Sequence, residues 1–317
     1  MADKPSRALI LYGDGLAPFV DPSHTHLHSL ASIASCGFLS LPNAPPSESE
    51  DERIVREFAV LMDACETCLS MGGHSTDAES QWNSTLSERF MGMKAAMLTN
   101  NSSLKSFGGK LGFSIFHLNE LIKHHHAIAN PQANVVASEL LQLLGFQEQK
   151  VLEANYFDLV FLHLGAGENI NSKEDQNIAA EVEYINALVG AITCLAQPGS
   201  DIGSRLHLSV VMSYGNVSGD NNTDLSVLKA VDERNSYLSK LFPQQSYTMK
   251  GEIPRKDIRH YCPMLIAQWQ YAVTRKDMAE GFSFKDFKEL GGNLTIPADR
   301  FLHEVAFKLW KAPKYGA

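Results

Sequence analysis

Ala8-Leu9-Ile10-Leu11-Tyr12-Gly13-Asp14-Gly15 is the first structured stretch of the chain. Five apolar residues in a row, with no polar alternation, describe a strand covered on both faces. The run stops at an aspartate held between two glycines, which is turn composition. In open α/β sheets, ligands bind beyond the C-terminal ends of the strands, so Asp14 is a candidate site residue from its position alone. A second stretch has the same form: Leu206-His207-Leu208-Ser209-Val210-Val211-Met212 reads as a buried strand and ends at Ser213-Tyr214-Gly215-Asn216.

Around these two runs, helical and strand-like segments alternate. The spacing predicts helices over Thr25–Ala34, Ile54–Leu69, Leu86–Met91, Ser103–Leu111, Gln132–Leu144 and Asn177–Leu195. Strands are expected at Gly37–Leu41, Lys94–Leu98, Phe113–Phe116 and Phe157–Leu164. Pro42 to Glu52 is rich in proline, serine and acid and is expected to be an exposed loop. The pattern predicts an α/β fold with a mainly parallel central sheet and helices on both faces. It is read as a single domain over 1–317, with a short variable helical and loop insertion at about 48–81.

Composition narrows the function classes. The chain has 317 residues, 44% of them hydrophobic, which is enough for a large core. A net charge of −9 argues against a general nucleic-acid binder, which needs a basic face. The polar N-terminus has no signal-peptide pattern, and no unbroken apolar run reaches the roughly 20 residues that span a bilayer. The expectation is a soluble, cytoplasmic protein with neither membrane nor nucleic acid as partner. Five scattered cysteines make a poor disulfide framework.

Several segments, in order, resemble the cofactor-independent phosphoglycerate mutases of archaeal type, within the alkaline phosphatase superfamily. They are the opening strand with Asp14-Gly15, His26–Ala31 followed by Cys36–Leu39, Met93–Leu98 followed by Leu104–Phe113, Pro263–Ile266, and Phe287–Ile296. The resemblance implies two divalent cations, Mn or Zn, held by carboxylates and imidazoles, and a serine that accepts the phosphoryl group. Such chemistry consists mostly of positioning and charge neutralisation.

Carried over by residue, the ligand set is depleted. Asp14 matches the family's first aspartate. Glu168 keeps a carboxylate, but the histidine after it falls on Ser172. The Asp-His pair after the 206–212 strand falls on Ser213 and Tyr214. The late histidine falls on Asp257, with His260 as the alternative under a small gap. The nucleophile falls on Ser47 or Ser49. Neutral hydroxyls are poor ligands for Mn or Zn. The family's cap is reduced to about Glu48–Gln81.

Other chemistry-bearing clusters favour bland readings. His24, His26 and His28 share a face only on an extended chain, and the match places a helix start there. His124-His125-His126 reads as a polar helix end, Cys65-x-x-Cys68 as mid-helix, and His163 as a core histidine. Trp269, Tyr271 and the closing amphipathic segment Phe301–Trp310 are candidate partner-facing aromatics.

These observations favour a catalytically degenerate phosphoglycerate-mutase-like protein, acting as a binding or scaffold protein with no cofactor and an unidentified protein partner. The alternative is a metal-dependent phosphatase or phosphomutase whose site has been rebuilt. In it Asp14, Glu168, Asp257 and His260 would hold Mn or Zn, and Ser47 or Ser49 would accept phosphate. A third reading is a non-phosphoryl hydrolase or zinc-binding regulator built on His24, His26 and His28.

Overall fold

The computed structural model describes residues 6–65, 84–117, 133–147, 150–151, 156–165, 174–217, 223–227, 248–250, 253–255 and 257–313. Its strands are β1 (Arg7–Asp14), β2 (Ser35–Ser40), β3 (Ala95–Leu98), β4 (Ser114–Phe116), β5 (Phe146–Gln147), β6 (Lys150–Val151), β7 (Leu159–Gly165), β8 (Leu206–Met212), β9 (Met249–Lys250), β10 (Ile253–Pro254), β11 (Met264–Trp269) and β12 (Asn293–Pro297). Eight of them form the central sheet, in the order β12-β2-β11-β8-β1-β7-β3-β4. All neighbours are parallel except β11, which runs antiparallel to both β2 and β8. β1 lies in the interior, paired with β7 on one side and β8 on the other, so the Asp14 and Ser213 turns emerge side by side.

The pleat assigns each residue of β1 to a face. Leu9 and Leu11 point into one core layer, with Val182, Ile185, Leu188, Val189 and Ile192 of the long helix Glu174–Leu195. Ala8, Ile10 and Tyr12 point into the other, with Ile54, Phe58 and Leu61 of helix α2 (Glu50–Leu61; α1 is Thr25–Ala31). Asp14 continues this second series and therefore emerges under α2. By the same alternation β7 presents His163, and the end of β8 presents Ser213, on the α2 side.

α2 corrects two expectations. The acidic stretch is not loop to its end, because Glu50, Asp51 and Glu52 form the first turn of a helix. Ser49 caps it: its hydroxyl accepts from the Glu52 amide, and the Glu52 side chain accepts from the Ser49 amide. Acidic residues in a first turn also favour the helix dipole. Second, the opening of the segment read as a variable insertion is a layer of the core, since Phe58 is fully buried against Phe107, Phe113 and Phe161.

Two smaller expectations also change. α1 ends at Ala31 rather than Ala34, and Ile33 beyond it is exposed. Trp269 is buried at the end of β11 rather than displayed, whereas Tyr271 is partly exposed. The closing helix, Phe301–Lys308, docks through Phe301, Leu302, Val305 and Ala306 and leaves Phe307 and Trp310 outside.

Within the long helix, Ile178–Leu195 is apolar and long enough to cross a bilayer. Here its apolar side chains pack on the sheet and alongside α1 and the helix Ala133–Leu143. Replacing Phe58 by alanine is expected to lower stability by about 3–5 kcal/mol in denaturant titration, as for a core aromatic. A loss below about 1 kcal/mol would make α2 a peripheral flap instead.

Candidate functional site

Asp14 is buried at the end of β1 and receives four hydrogen bonds. Arg53 grips it in a fork, Nη1 to Oδ1 at 2.9 Å and Nη2 to Oδ2 at 2.6 Å. Ser213 Oγ donates to Oδ1 at 2.8 Å, and the Tyr12 hydroxyl, also on β1, is 3.2 Å from the same oxygen. Three of these bonds converge on Oδ1 and one reaches Oδ2.

Arg53 is equally committed. Its remaining donations go to Glu50, Nε at 3.0 Å and Nη2 at 2.6 Å, and to Glu57 Oε2, Nη1 at 3.0 Å. The five N–H groups of the guanidinium make five hydrogen bonds to three carboxylates. Arg53 and Glu57 stand one helical turn apart on α2, on the side that covers the strand ends, with exposures of only 5% and 0%.

Ser213 is held by the two neighbouring turns. Gly15 N and Gly215 N both donate to its Oγ, at 2.9 and 3.3 Å, leaving its own proton for Asp14. Both glycines have positive φ, 71° and 67°, and a Cβ on Gly215 would stand 3.1 Å from the Gly15 Cα. The turns need glycine to bring their backbones this close.

The charges set the protonation states. Burial works to raise the pKa of Asp14, but the hydrogen bonds and charge of Arg53 outweigh it, so Asp14 is held below the usual carboxylate range. Glu57 goes the other way: burial, and then the negative charge of Asp14, push it up to about 7. Its second oxygen, Oε1, makes no hydrogen bond and lies 3.8 Å from Arg259 Nη2 and 3.9 Å from Arg56 Nη2. Burial, followed by Asp14 and Glu57, raises the Tyr12 phenol well above its ordinary value, so it stays a donor. His163 lies beside the group, its ring 5.7 Å from that of Tyr12 and its Nδ1 3.0 Å from Thr99 Oγ1.

The other sequence-predicted residues are not part of this cluster. Tyr214 packs against the opposite core layer, where burial raises its pKa. Asp257 is exposed and lines a separate cleft with Asp63, Arg89 and Arg255. His260 is half-buried and contributes its carbonyl to Val227 N and Ser226 Oγ. The late residue that does approach the cluster is Arg259, between them.

Ser47 is exposed in the turn before α2, and the Ser49 hydroxyl is used by its capping box. Glu168, Ser172, Cys68 and His124–His126 lie outside the described residues. His24 precedes α1, with its Nδ1 receiving the Asp21 amide. The His28 ring receives the Phe282 amide, and His26 lies over Gly190, so the three imidazoles are engaged separately.

No family model and no curated protein matches the chain by sequence. Solved structures do match in shape. The PH0037 protein from Pyrococcus horikoshii superposes with a TM-score of 0.56 at 13% identity, over 99% of each chain. The cofactor-independent phosphoglycerate mutase from Thermoplasma acidophilum gives 0.46 at 10%, covering 95% of this chain and 98% of that one. The alkaline phosphatase of the Antarctic bacterium TAB5 gives 0.46 at 9%, covering 99% and 100%. The chain shares its fold with the PH0037 protein. Identities this low establish the fold and nothing of the chemistry.

The described residues at the strand ends do not fit the metal pair that the sequence resemblance implies. Both oxygens of Asp14 already accept hydrogen bonds, from Arg53, Ser213 and Tyr12, and the positions after β8 carry hydroxyls. Among the described residues, no group of three or more His, Cys, Asp or Glu side chains is arranged to hold a metal ion.

The raised pKa of Glu57 has a stability consequence. Between 4.5, its ordinary value, and about 7, the folded protein binds a proton that the unfolded chain has released. Stability therefore falls as pH rises through this window, by up to about 3 kcal/mol. The glutamine variant is expected to remove that slope, so that wild type and Glu57→Gln diverge from pH 5 to pH 8 in urea titrations. Parallel curves over that range would show that Glu57 ionises normally.

Proposed function

We propose that this chain is a catalytically degenerate member of the phosphomutase-like branch of its superfamily, working as a binding or scaffold protein without a resident cation. The observation that supports the reading is the Arg53 fork on Asp14. A guanidinium, permanently charged and planar, supplies the positive charge that a carboxylate at this position otherwise takes from a metal. It cannot activate a nucleophile as a metal does, because it has no open coordination position and cannot lower the pKa of a bound hydroxyl by direct ligation. Neither candidate serine offers an evident replacement. Ser49 is tied to Glu52, and Ser47 stands exposed in the turn before α2, outside the Asp14 cluster.

Purified protein, dialysed against Mn and Zn in turn, is expected to carry far less than one ion per chain by elemental analysis. Hydrolysis of p-nitrophenyl phosphate with either metal added should stay at the buffer rate. Two ions per chain, with hydrolysis abolished by Asp14→Asn, would overturn the proposal in favour of a rebuilt enzyme.

A further inference from the structure

A second set of buried polar side chains lies at the opposite edge of the sheet from Asp14, under the closing helix Phe301–Lys308. The pleat that sends Leu206 and Leu208 into the core layer of the long helix turns His207 and Ser209 to the other face, where Phe301, Leu302, Val305 and Ala306 pack. His207, Ser209 and Gln268 of β11 are all buried. Ser6 and Gln270, which bond each other, are buried at the same edge, and the Ser6 amide donates to the Lys308 carbonyl at 3.2 Å.

The contacts of His207 suit only a neutral ring. Gln268 Nε2, which can only donate, lies 3.4 Å from His207 Nε2, and Ser209 Oγ lies 3.3 Å from it. Nε2 is therefore the acceptor, and Nδ1 carries the proton without a hydrogen-bond partner. A second proton must go to Nε2, where it would face the Gln268 donor. The neighbours offer an imidazolium no compensation. On β1 its partner is Ala8, β11 presents the amide of Gln268, and the closing helix presents Lys308, a cation, with Glu304 one turn earlier. Burial, and then Lys308, hold the ring well below the usual histidine range. Two contacts hold the helix elsewhere: His303 Nε2 lies 2.8 Å from Asp63 Oδ2, and Lys311 Nζ 3.3 Å from Asp158. Protonating His303 would tighten the first, so it works against release.

We infer that His207 makes the seating of the closing helix acid-sensitive: a proton on this ring releases Phe301–Lys308 from the sheet while the rest of the fold stays in place. The helix is held through one face and leaves Phe307 and Trp310 outside, so it opens as a unit. Opening returns the ring to water, where it titrates at about 6.5. Above that pH the open and seated forms bind the same protons, and the helix stays down. Below it only the open form gains a proton, so each pH unit favours opening about tenfold. Acid then displays Phe301, Leu302 and Val305. The device is independent of the Asp14 cluster and of the reading given to it.

The test is amide hydrogen exchange of the full chain between pH 7.5 and pH 4.5, read by mass spectrometry on peptides from the closing helix and from β1. Rates are corrected for intrinsic exchange, under conditions where exchange follows the opening equilibrium. Between pH 6.5 and pH 4.5 the protection of the helix is expected to fall at least about tenfold, and to end at least about tenfold below that of β1. His207→Gln, which takes up no proton, should hold the protection of the helix level over the same range. Circular dichroism checks that the variant is folded, and His207→Leu serves in its place if it is not.

A flat profile in the wild type overturns the inference, as does the same fall in the folded His207→Gln protein, since another group would then be responsible. Equal protection of the helix and β1 at pH 4.5 also overturns it, because the helix would leave only with the whole fold. The first and last of these outcomes are read on the wild type alone and need no variant.

Discussion

One guanidinium ties the site together. The five donors of Arg53 join Asp14 at the end of β1 to Glu50 and Glu57 on α2, and so fix the helix over the strand ends. A buried ion network of this kind gives little net stability over a well-packed apolar substitute, because its desolvation cost is large. Removing one member is a different matter, since it strands the others. With the guanidinium gone, two buried carboxylates would face each other without a cation, and one would have to take up a proton.

The rest of the site follows from that constraint. With Asp14 gripped by Arg53, Ser213 need only donate a single proton to it, and a hydroxyl held by two glycine amides does this well. Glu57 absorbs the remaining charge conflict by titrating near neutral pH. Arg259 and Arg56 lie 3.8 and 3.9 Å from its second oxygen. Positive charge at the sheet's C-terminal edge is thus supplied by arginine side chains.

The sheet was legible in the sequence because its strands are continuous apolar runs with no competing period. β8 was placed at its observed bounds, and β1, β3, β4 and β7 within two residues at either end. Asp14 was legible because a Gly-flanked acid at a strand end has few structural explanations. Ser213 and Tyr214 were legible as hydroxyls at the end of a buried strand, where the resemblance implies an Asp-His pair.

What surrounds Asp14 was hidden. Arg53 and Glu57 lie in a run of charged residues that reads as a solvated face, and only the helical register reveals otherwise. Arg53, Glu57 and Val60 form a row beside Ile54, Phe58 and Leu61, so an amphipathic α2 must bury the charged pair with the apolar one. Arg259 carried no signal at all, because its role depends on where the chain between β8 and β11 returns to the cluster.

The central claim is that Arg53 stands where a cation would otherwise serve Asp14. Crystals grown with manganese, measured at its absorption edge, test this directly. The account predicts the Arg53 guanidinium in a two-pronged contact with Asp14 and no anomalous peak within ligand distance, about 2.0–2.2 Å, of either carboxylate oxygen. A strong peak there, with Arg53 swung away, would contradict it.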